Sequence, residues 1–304
     1  MASELPELPP RPADGHKGTF GTVCVLGGQA AAPRIMIGGP ALTATAALRA
    51  GAGLVVLAVP APLVQAALSI SPSATALALP VDDEGNPVPG AVAELLDEHL
   101  PQCDCLAIGP GFAAGTPQQQ IVARLIARER PSMVIDADAL NALACLGDFC
   151  RDLRAPAVFT PHPGEYRRLA TALGIDADPV LPQKRAHAAE ALAQRVGCVV
   201  VLKGAGTVVS DGIRTWTNAT GNPALATAGT GDVLTGVIAG LVAQYASRGD
   251  GRLSLYDCAR LAVHAHGLAA DRWRDAHAGS DSGMLAADLL EQVPGALASL
   301  RPRR

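Results

Sequence analysis

Asn222-Pro-Ala-Leu-Ala-Thr-Ala-Gly-Thr-Gly-Asp-Val-Leu-Thr-Gly236 is the most informative stretch of this 304-residue sequence. Its small residues lead directly into an apolar segment that predicts a helix over Asp232–Tyr245. Glycine lets the backbone approach a phosphate closely, and the free N–H groups and positive dipole of a helix's first turn attract the negative charge. We therefore predict an anion hole formed by Ala228, Gly229, Thr230 and Gly231. The alternative is that Asp232 is an ordinary helix cap, and the stretch alone leaves both open.

Strands and helices alternate through the rest of the sequence. Short apolar runs predict strands at Thr22–Leu26, Leu54–Val59, Cys105–Ile108, Met133–Asp136, Ala157–Thr160 and Val199–Lys203, and a hairpin of Thr207–Ser210 and Arg214–Thr217. Helical patterns occur at Pro40–Ala50, Ala91–His99, Thr116–Glu129, Ala139–Cys145, Gln183–Arg195, Leu255–Asp271 and Ala286–Gln292. Because the strands are continuously apolar, they indicate a parallel sheet covered by helices on both sides.

The fold class that follows is α/β, a three-layer α/β/α sandwich with a central, mostly parallel sheet. We expect a single domain over residues 15–300. A Pro-rich N-terminal tail, residues 1–14, is expected to be flexible. Residues 301–304 form a short basic C-terminal end, which we expect to be solvated.

The composition argues against several classes of protein. The net charge of −4 offers no basic face to nucleic acid. No apolar stretch reaches the ~20 residues that span a membrane, and the first residues lack the features of a signal peptide. The seven cysteines are scattered, and Cys103 and Cys105 have no second pair at zinc-ligand spacing. We therefore expect a cytoplasmic protein with reduced thiols and with neither nucleic acid nor membrane as a partner.

Two polar loops follow predicted strands, at the sheet edge where parallel α/β folds bind ligands. Lys203-Gly-Ala-Gly-Thr207 offers a cation and backbone amides to a nucleotide phosphate or ribose. A plain turn with a solvated lysine is the alternative. Thr160-Pro-His-Pro-Gly-Glu165 holds His162 between two prolines, either as a ligand contact or as a structural histidine. Glu165 is a candidate to order magnesium through water, because Mg²⁺ keeps several waters.

Two further loops lie at the same predicted edge. Gly109-Pro-Gly111 departs from the dinucleotide-binding pattern, because Ala114 stands where its last glycine would be. Asp136-Ala-Asp138 places two carboxylates after a strand, and helix capping by Asp138 explains them equally well. A Walker A motif and a Gly-x-Ser-x-Gly motif are both absent from the sequence. Nothing therefore indicates a P-loop or a serine nucleophile.

Taken together, seven segments make the sequence resemble the NAD(P)H-hydrate dehydratases, kinase-like repair enzymes of the ribokinase superfamily. They follow the order of that family over residues 15–275. They are His16-Lys17-Gly18…Gly21, Ala46-Ala-Leu-Arg-Ala-Gly-Ala-Gly53, Gly109-Pro-Gly111, Asp136-Ala-Asp-Ala-Leu140, Thr160-Pro-His-Pro-Gly-Glu165, Lys203-Gly-x-x-Thr207 and Gly221-Asn-Pro-x-Leu…Gly229-Thr-Gly-Asp232.

The resemblance implies a ribokinase-like fold and two binding sites along one edge of the sheet. Its nucleotide site falls on Lys203, Gly204, Ala205, Gly206, Thr207 and Gly231. Its hydrated-cofactor site falls on Ala41, Gly111, His162 and Asp232. The chain reads Gly39-Pro40-Ala41 where the family has a Gly-Ala-Ala-like run, so the shape of the loop over residues 30–40 stays open.

The resemblance also implies the reaction, a lyase reaction that repairs the S-epimer of NAD(P)H hydrate. Transfer of a phosphoryl group from ADP or ATP to the ring hydroxyl replaces hydroxide by phosphate, a better leaving group. Asp232 would act as general base, the anion-hole amides would stabilise the transferring group, and Mg²⁺ would bridge the phosphates of the nucleotide. Bacterial members of the family favour ADP, but no residue here decides the donor.

The same resemblance implies the partners of the protein, and two alternative functions stay open beside it. Relatives are commonly homo-oligomers, and many carry a fused epimerase domain, so we expect a separate epimerase as pathway partner. The nearest rival is a small-molecule kinase on the same fold, acting on a vitamin precursor such as hydroxyethylthiazole. A second rival is a nucleotide-binding regulator without catalysis.

Overall fold

The computed structural model describes residues 4–247 and 252–302. Within them, nine strands form one sheet in the order β3-β2-β1-β4-β5-β6-β7-β8-β9. Strands β1 to β7 run parallel, and β8 and β9 continue the sheet as an antiparallel hairpin. The strands are β1 (Thr22–Leu26), β2 (Leu54–Pro60), β3 (Thr75–Leu79), β4 (Cys105–Ile108), β5 (Ser132–Ile135), β6 (Ala157–Phe159), β7 (Val199–Leu202), β8 (Val208–Ser210) and β9 (Thr215–Thr217).

Helices cover both faces of this sheet. They are α1 (Gly38–Arg49), α2 (Val64–Ile70), α3 (Pro89–His99), α4 (Thr116–Ile126), α5 (Ala137–Cys145), α6 (Pro163–Leu173), α7 (Pro182–Val196), α8 (Thr230–Tyr245), α9 (Leu255–Ala276) and α10 (Ala286–Ala298). Along β1, Val23 and Val25 pack against α1 and α8 to α10, while Cys24 and Leu26 join the core beneath α3 to α7. The predicted three-layer α/β/α sandwich is therefore confirmed. Among the described residues, no helix combines the length and the apolarity needed to cross a membrane.

Most predicted elements are present, with ends that differ by a few residues. The sequence reasoning missed α2, β3 and α6. Helix α6 begins at Pro163, inside the segment that was interpreted as a rigid loop. Proline at the first helical position and glutamate at the third are ordinary signals of a helix start, so this helix could have been found.

The N-terminal segment differs from the flexible tail that the sequence suggested. Leu8 is fully buried, and its N–H donates to the Leu300 carbonyl at 2.8 Å. The Arg11 guanidinium donates to the Gly51 carbonyl at 2.7 Å, and Arg301 donates to the Pro9 carbonyl. Burial of an apolar side chain, together with the low conformational entropy of a Pro-rich segment, explains why it docks. Residues 1–3, 303 and 304 lie outside the described part of the chain.

Helices α1 and α8 cross with their backbones in close contact. A Cβ added at Gly236 of α8 would overlap the Thr43 carbonyl oxygen and approach the Ala46 Cβ to 2.6 Å. A Cβ at Gly240 would meet the Ala47 carbonyl oxygen at 2.8 Å. The Thr43 hydroxyl also donates to the Asp232 carbonyl at 3.0 Å. The first turn of α8 is therefore held tightly against α1.

Candidate active site

A buried ion pair between Lys203 and Asp136 lies at the carboxyl edge of the sheet. The Lys203 Nζ is 2.6 Å from Asp136 Oδ1, and the side chains are 17% and 2% exposed. Lys203 follows β7 and Asp136 follows β5, so the pair spans the end of β6 between them. The Thr235 hydroxyl of α8 donates to the other carboxylate oxygen at 2.6 Å. The pair thus ties the sheet edge to the start of α8.

The two charges stabilise each other. Burial alone would raise the pKa of Asp136, but the adjacent Lys203 ammonium holds that pKa below its ordinary value. Burial would likewise lower the pKa of Lys203, but Asp136 and Glu165 keep it above its ordinary value. Both groups therefore stay ionised at neutral pH.

Asp232 lies in the first turn of α8, in a different electrostatic setting. Burial, reinforced by the negative charge of Asp136, raises the pKa of its carboxyl group to about 7. Within the described residues, its carboxylate accepts no hydrogen bond. A Cβ added at Gly39 would lie 3.2 Å from Asp232 Oδ1, so the glycine leaves room beside the carboxylate. A carboxyl group with this pKa and a free acceptor is suited to take a proton near pH 7.

The loop before Asp232 is shaped by glycine and by threonine hydrogen bonds. Gly229 has φ +90°, a left-handed conformation that favours glycine. The Thr230 hydroxyl reaches the Leu225 and Thr227 carbonyl oxygens at 2.8 and 2.9 Å. The Gly231 and Asp232 N–H groups belong to the first turn of the helix, where no carbonyl precedes them in helical register. A Cβ at Gly231 would lie 3.6 Å from Lys203 Nζ, so the helix start and the ammonium face the same space.

A histidine supports this loop from α9. The His266 Nε2 lies 2.8 Å from the Thr230 carbonyl oxygen. Burial lowers the pKa of His266 to about 4, so the imidazole is neutral at physiological pH. Since a carbonyl can only accept, Nε2 carries the proton in this contact. The sequence reasoning did not single out His266, because nothing in the sequence places it beside a loop 36 residues away.

A cavity of about 550 Å³ opens next to the loop. The predicted nucleotide-binding residues Lys203, Gly204, Ala205, Gly206, Thr207 and Gly231 all line it. The Thr207 hydroxyl donates to the Gly204 carbonyl at 2.9 Å, which fixes the turn between them. The far wall was not predicted; it includes Asn218–Asn222, Val263, His266 and Gly267. Such a volume lies within the range of small-molecule sites.

His162 and Glu165 form a capping box at the start of α6. The His162 Nδ1 accepts from the Gly164 N–H at 2.9 Å, and Glu165 Oε2 accepts from the His162 N–H at 2.8 Å. The imidazole remains half-exposed, and burial together with the nearby Lys203 charge lowers its pKa. Burial raises the pKa of Glu165 to about 7. The geometry therefore gives His162 a structural contact and leaves one face open to a ligand.

The remaining predicted substrate contacts, Gly111 and Ala41, do not line the 550 Å³ cavity. Gly111 has φ +60°, and a Cβ there would approach the Met36 Cβ to 3.2 Å. Ala41 is fully buried in α1, so its methyl group is not open to solvent. Asp138 does not cap α5; its Oδ2 instead accepts from the Ala113 N–H at 2.9 Å and holds the loop after Gly111. The capping alternative for Asp138 is therefore wrong.

Comparisons with known proteins find relatives along almost the whole chain. A profile of the family described as NAD(P)H-hydrate dehydratase matches residues 23–295. A bifunctional NAD(P)H-hydrate repair enzyme from Moorella thermoacetica is 40% identical over 297 residues, which cover 97% of this chain and 52% of that protein. The chain spans about half the length of the curated relatives that it matches.

Two solved structures have closely similar folds. The ADP/ATP-dependent NAD(P)H-hydrate dehydratase from Bacillus subtilis, co-crystallised with ATP and Mg²⁺, is 30% identical with a TM-score of 0.75, and the match covers 99% of this chain and 100% of that one. A ribokinase-like superfamily protein from Enterococcus faecalis V583 is 26% identical with a TM-score of 0.76, over 98% of this chain and 92% of that one. The ribokinase-like fold expected from the sequence is confirmed.

Proposed function

Since the chain belongs to the NAD(P)H-hydrate dehydratase family, we propose that it dehydrates the S-epimer of NAD(P)H hydrate with ADP or ATP as phosphoryl donor. One observation carries the proposal. Asp232, with a pKa of about 7, stands on the helix start whose Gly231 borders both Lys203 and the 550 Å³ cavity. A proton acceptor and a phosphate-binding helix terminus therefore meet on adjoining residues.

The proposed reaction begins with proton transfer to Asp232. The hydroxyl on the ring carbon next to the nitrogen gives its proton to the carboxylate, and its oxygen attacks the terminal phosphorus of the nucleotide. The phosphorus–oxygen bond to the rest of the nucleotide breaks. The ring nitrogen lone pair then expels phosphate from the carbon, and loss of a proton from the neighbouring carbon restores NAD(P)H. The products are NAD(P)H, inorganic phosphate and a nucleotide shortened by one phosphate.

The anion hole would act on the phosphoryl group during its transfer. The N–H groups at the start of α8, in the segment Ala228–Gly231, are aligned with the positive end of the helix dipole. Lys203 adds a positive charge, while its pair with Asp136 fixes the position of the ammonium. Thr207 and the glycines around it would cradle the rest of the nucleotide.

Magnesium fits this arrangement as an ion held mainly by the nucleotide. The described residues contain no group of three side chains arranged to hold a metal ion, and Mg²⁺ in such sites is bound by few carboxylates, several waters and substrate phosphates. When bound, it would neutralise charge on the phosphates. The Glu165 carboxylate accepts from His162 and lies 4.0 Å from Lys203 Nζ, so a water-mediated role is the one its position allows.

The decisive experiment supplies the S-epimer of NADPH hydrate, Mg²⁺ and either ADP or ATP. We expect the dihydronicotinamide absorbance to return, with one phosphate released for each NADPH formed. The faster reaction identifies the donor. Nucleotide-dependent phosphorylation of hydroxyethylthiazole without recovery of NADPH would instead establish the small-molecule kinase. Nucleotide binding without turnover of any substrate would establish the regulator.

The cellular setting is part of the same proposal. We propose that the enzyme works in the cytoplasm as a homo-oligomer. All seven cysteines are free thiols in the structure, as a reducing compartment would keep them. Sedimentation of the purified chain would give its oligomeric state.

A further inference from the structure

A shallow groove, open to solvent over most of its area, lies between α5 and α6. It is lined by Ala114, Asn141, Ala144, Cys145, Arg167, Arg168, Thr171 and Ala172, none of which lines the nucleotide cavity. Arg167 and Arg168 are both exposed. We call this surface the arginine groove. Its charge makes it a candidate site for an anion that the reaction described above leaves unassigned.

Hydrogen bonds connect the arginine groove to the proposed ring-binding site. The Arg168 Nη1 donates to Asn141 Oδ1 at 3.0 Å. The Asn141 amide donates to Asp138 Oδ1 at 3.3 Å, and Asp138 Oδ2 accepts from the Ala113 N–H at 2.9 Å. Ala113 lies two residues beyond Gly111. Hydrogen bonds therefore connect the Arg168 guanidinium to the loop where the hydrated ring is proposed to bind.

The distance also suits a dinucleotide. Arg167 follows His162 by five residues on α6, which corresponds to about 7.5 Å along a helix. The negative charge of a dinucleotide begins at the pyrophosphate, one ribose away from the nicotinamide ring. A ring held near Gly111, His162 and Asp232 would thus place its own phosphates close to the mouth of the groove.

We propose that the arginine groove binds the phosphates of the NAD(P)H hydrate distal to its reacting ring. This inference rests on the proposed function. The donor nucleotide occupies the 550 Å³ cavity, so the rest of the dinucleotide must extend elsewhere from the ring. The Arg168 guanidinium already donates to Asn141, so it loses less freedom on binding a phosphate than a side chain without such a contact does.

The rest of the dinucleotide has one alternative path from the ring, which runs past Arg34 on the other side of Gly111. Arg34 is exposed in the loop that carries Met36, whose Cβ adjoins Gly111. Within the described residues its guanidinium makes no hydrogen bond, so nothing fixes its position. If the phosphates lie in the arginine groove, substitutions of Arg167 and Arg168 should weaken NADPH binding. If they lie along the alternative path, substitution of Arg34 should weaken it instead.

The test measures binding of NADPH and NADH by their fluorescence, with a non-hydrolysable ATP analogue filling the nucleotide cavity. We compare the wild type with Arg168→Ala, the Arg167→Ala and Arg168→Ala double variant, Arg168→Lys and Arg34→Ala. Arg154→Ala is the matched control, because Arg154 is exposed near the opposite end of β6. We expect the Kd of the double variant to rise roughly tenfold at low salt, less at high salt, with Arg168→Lys intermediate. Affinity for the ATP analogue should stay unchanged.

The outcomes separate the two proposals. If the wild type recovers NADPH from its hydrate but the double variant binds NADPH within twofold of it, the groove proposal is wrong and the proposed function stands. Weaker binding by Arg34→Ala instead would assign the exit to the other loop and also overturn the groove. If the wild type neither binds NADPH nor recovers it from the hydrate, the proposed function fails, and the groove proposal fails with it.

Discussion

Asp136 and Asp232 each stand at the start of a helix on the same edge of the sheet, yet the protein treats the two carboxylates in opposite ways. Asp136 is 1% exposed and has a counter-ion at 2.6 Å and a hydroxyl donor at 2.6 Å. The carboxylate of Asp232 has neither, and its pKa rises to about 7 while that of Asp136 falls. Asp136 is fully buried and Asp232 is half-buried, and the two carboxylates differ above all in the groups that neutralise their charge.

The comparison shows how one sheet edge can hold one carboxylate as a fixed charge and leave another able to exchange a proton near pH 7. A buried carboxylate with a full set of partners is fixed in its charged form and serves as an anchor. A half-buried carboxylate without partners is poised between two protonation states at neutral pH, which general-base catalysis requires. Asp136 itself helps to set this state, since its charge raises the pKa of Asp232.

The largest effect is expected from removing the carboxylate that we propose as general base. Asp232→Asn should lower kcat by about 10²- to 10⁴-fold, because the amide cannot accept the hydroxyl proton. Circular dichroism and nucleotide affinity should stay close to those of the wild type. Recovery of NADPH from its hydrate at a near-normal rate would show that another group is the base.

The next effect is expected from removing the anchor. Asp136→Ala should lower the free energy of unfolding by about 3 kcal/mol, the low end for a broken buried ion pair, because Lys203 would keep only Glu165, 4.0 Å away, as a counter-ion. Urea denaturation measures this change. Asp148→Ala, which breaks only exposed ion pairs, is the control and should change stability by less than about 1 kcal/mol. Equal effects of the two substitutions would contradict the contrast between anchor and surface charge.

The substitution Asp232→Asn should also raise the free energy of unfolding, by less than Asp136→Ala lowers it. The folded-state pKa of about 7 exceeds the ordinary value of 3.8, so the folded protein holds a proton that the unfolded chain has released. Ionisation of this carboxyl group therefore costs the folded protein stability. The cost is absent below pH 3.8, grows as the pH rises, and is complete above about pH 7. At pH 8 the variant should therefore be more stable than the wild type by about 2 kcal/mol. At pH 5 most of this gain should vanish, and a pH-independent difference would contradict the raised pKa.

The smallest effect concerns the second partner of the anchor. Thr235→Val keeps the volume but removes the hydroxyl that donates to Asp136 at 2.6 Å. We expect a loss of about 1.5 kcal/mol in the free energy of unfolding, the usual contribution of a hydrogen bond to a charged group. A double-mutant cycle with Asp136→Asn would measure the coupling directly. Additive effects would show that the two side chains do not act together.

Much of the fold could be predicted from local patterns. Apolar runs located six of the seven parallel strands, including β1 and β4 with their observed ends. Strand β3 was missed because its sequence, Thr75-Ala-Leu-Ala-Leu79, contains only one β-branched residue and so has a weak strand propensity. Helix α2 has seven residues, too few for a periodic pattern to emerge.

The candidate site likewise contains residues that local sequence patterns predict and contacts that they do not. Glycine-rich loops after strands marked Lys203 and Gly231, and both line the nucleotide cavity. The pairing of Lys203 with Asp136 joins residues 67 positions apart, and that of Thr235 with Asp136 joins residues 99 apart. No local pattern encodes such contacts, since the order of strands in the sheet creates them. The sequence could therefore indicate the chemistry available but not which carboxylate would be neutralised.

The glycine contact between α1 and α8 has a consequence for how the protein tolerates random substitution. Gly236 and Gly240 lie within α8, one and two turns beyond Asp232, and touch α1 through bare backbone. Any larger side chain would push the two helices apart and move Asp232 away from Lys203. A saturation-mutagenesis map should therefore show that both glycines tolerate substitution as poorly as Asp232 does. Ligand-binding measurements alone would not reveal the reason, because neither glycine lines the nucleotide cavity.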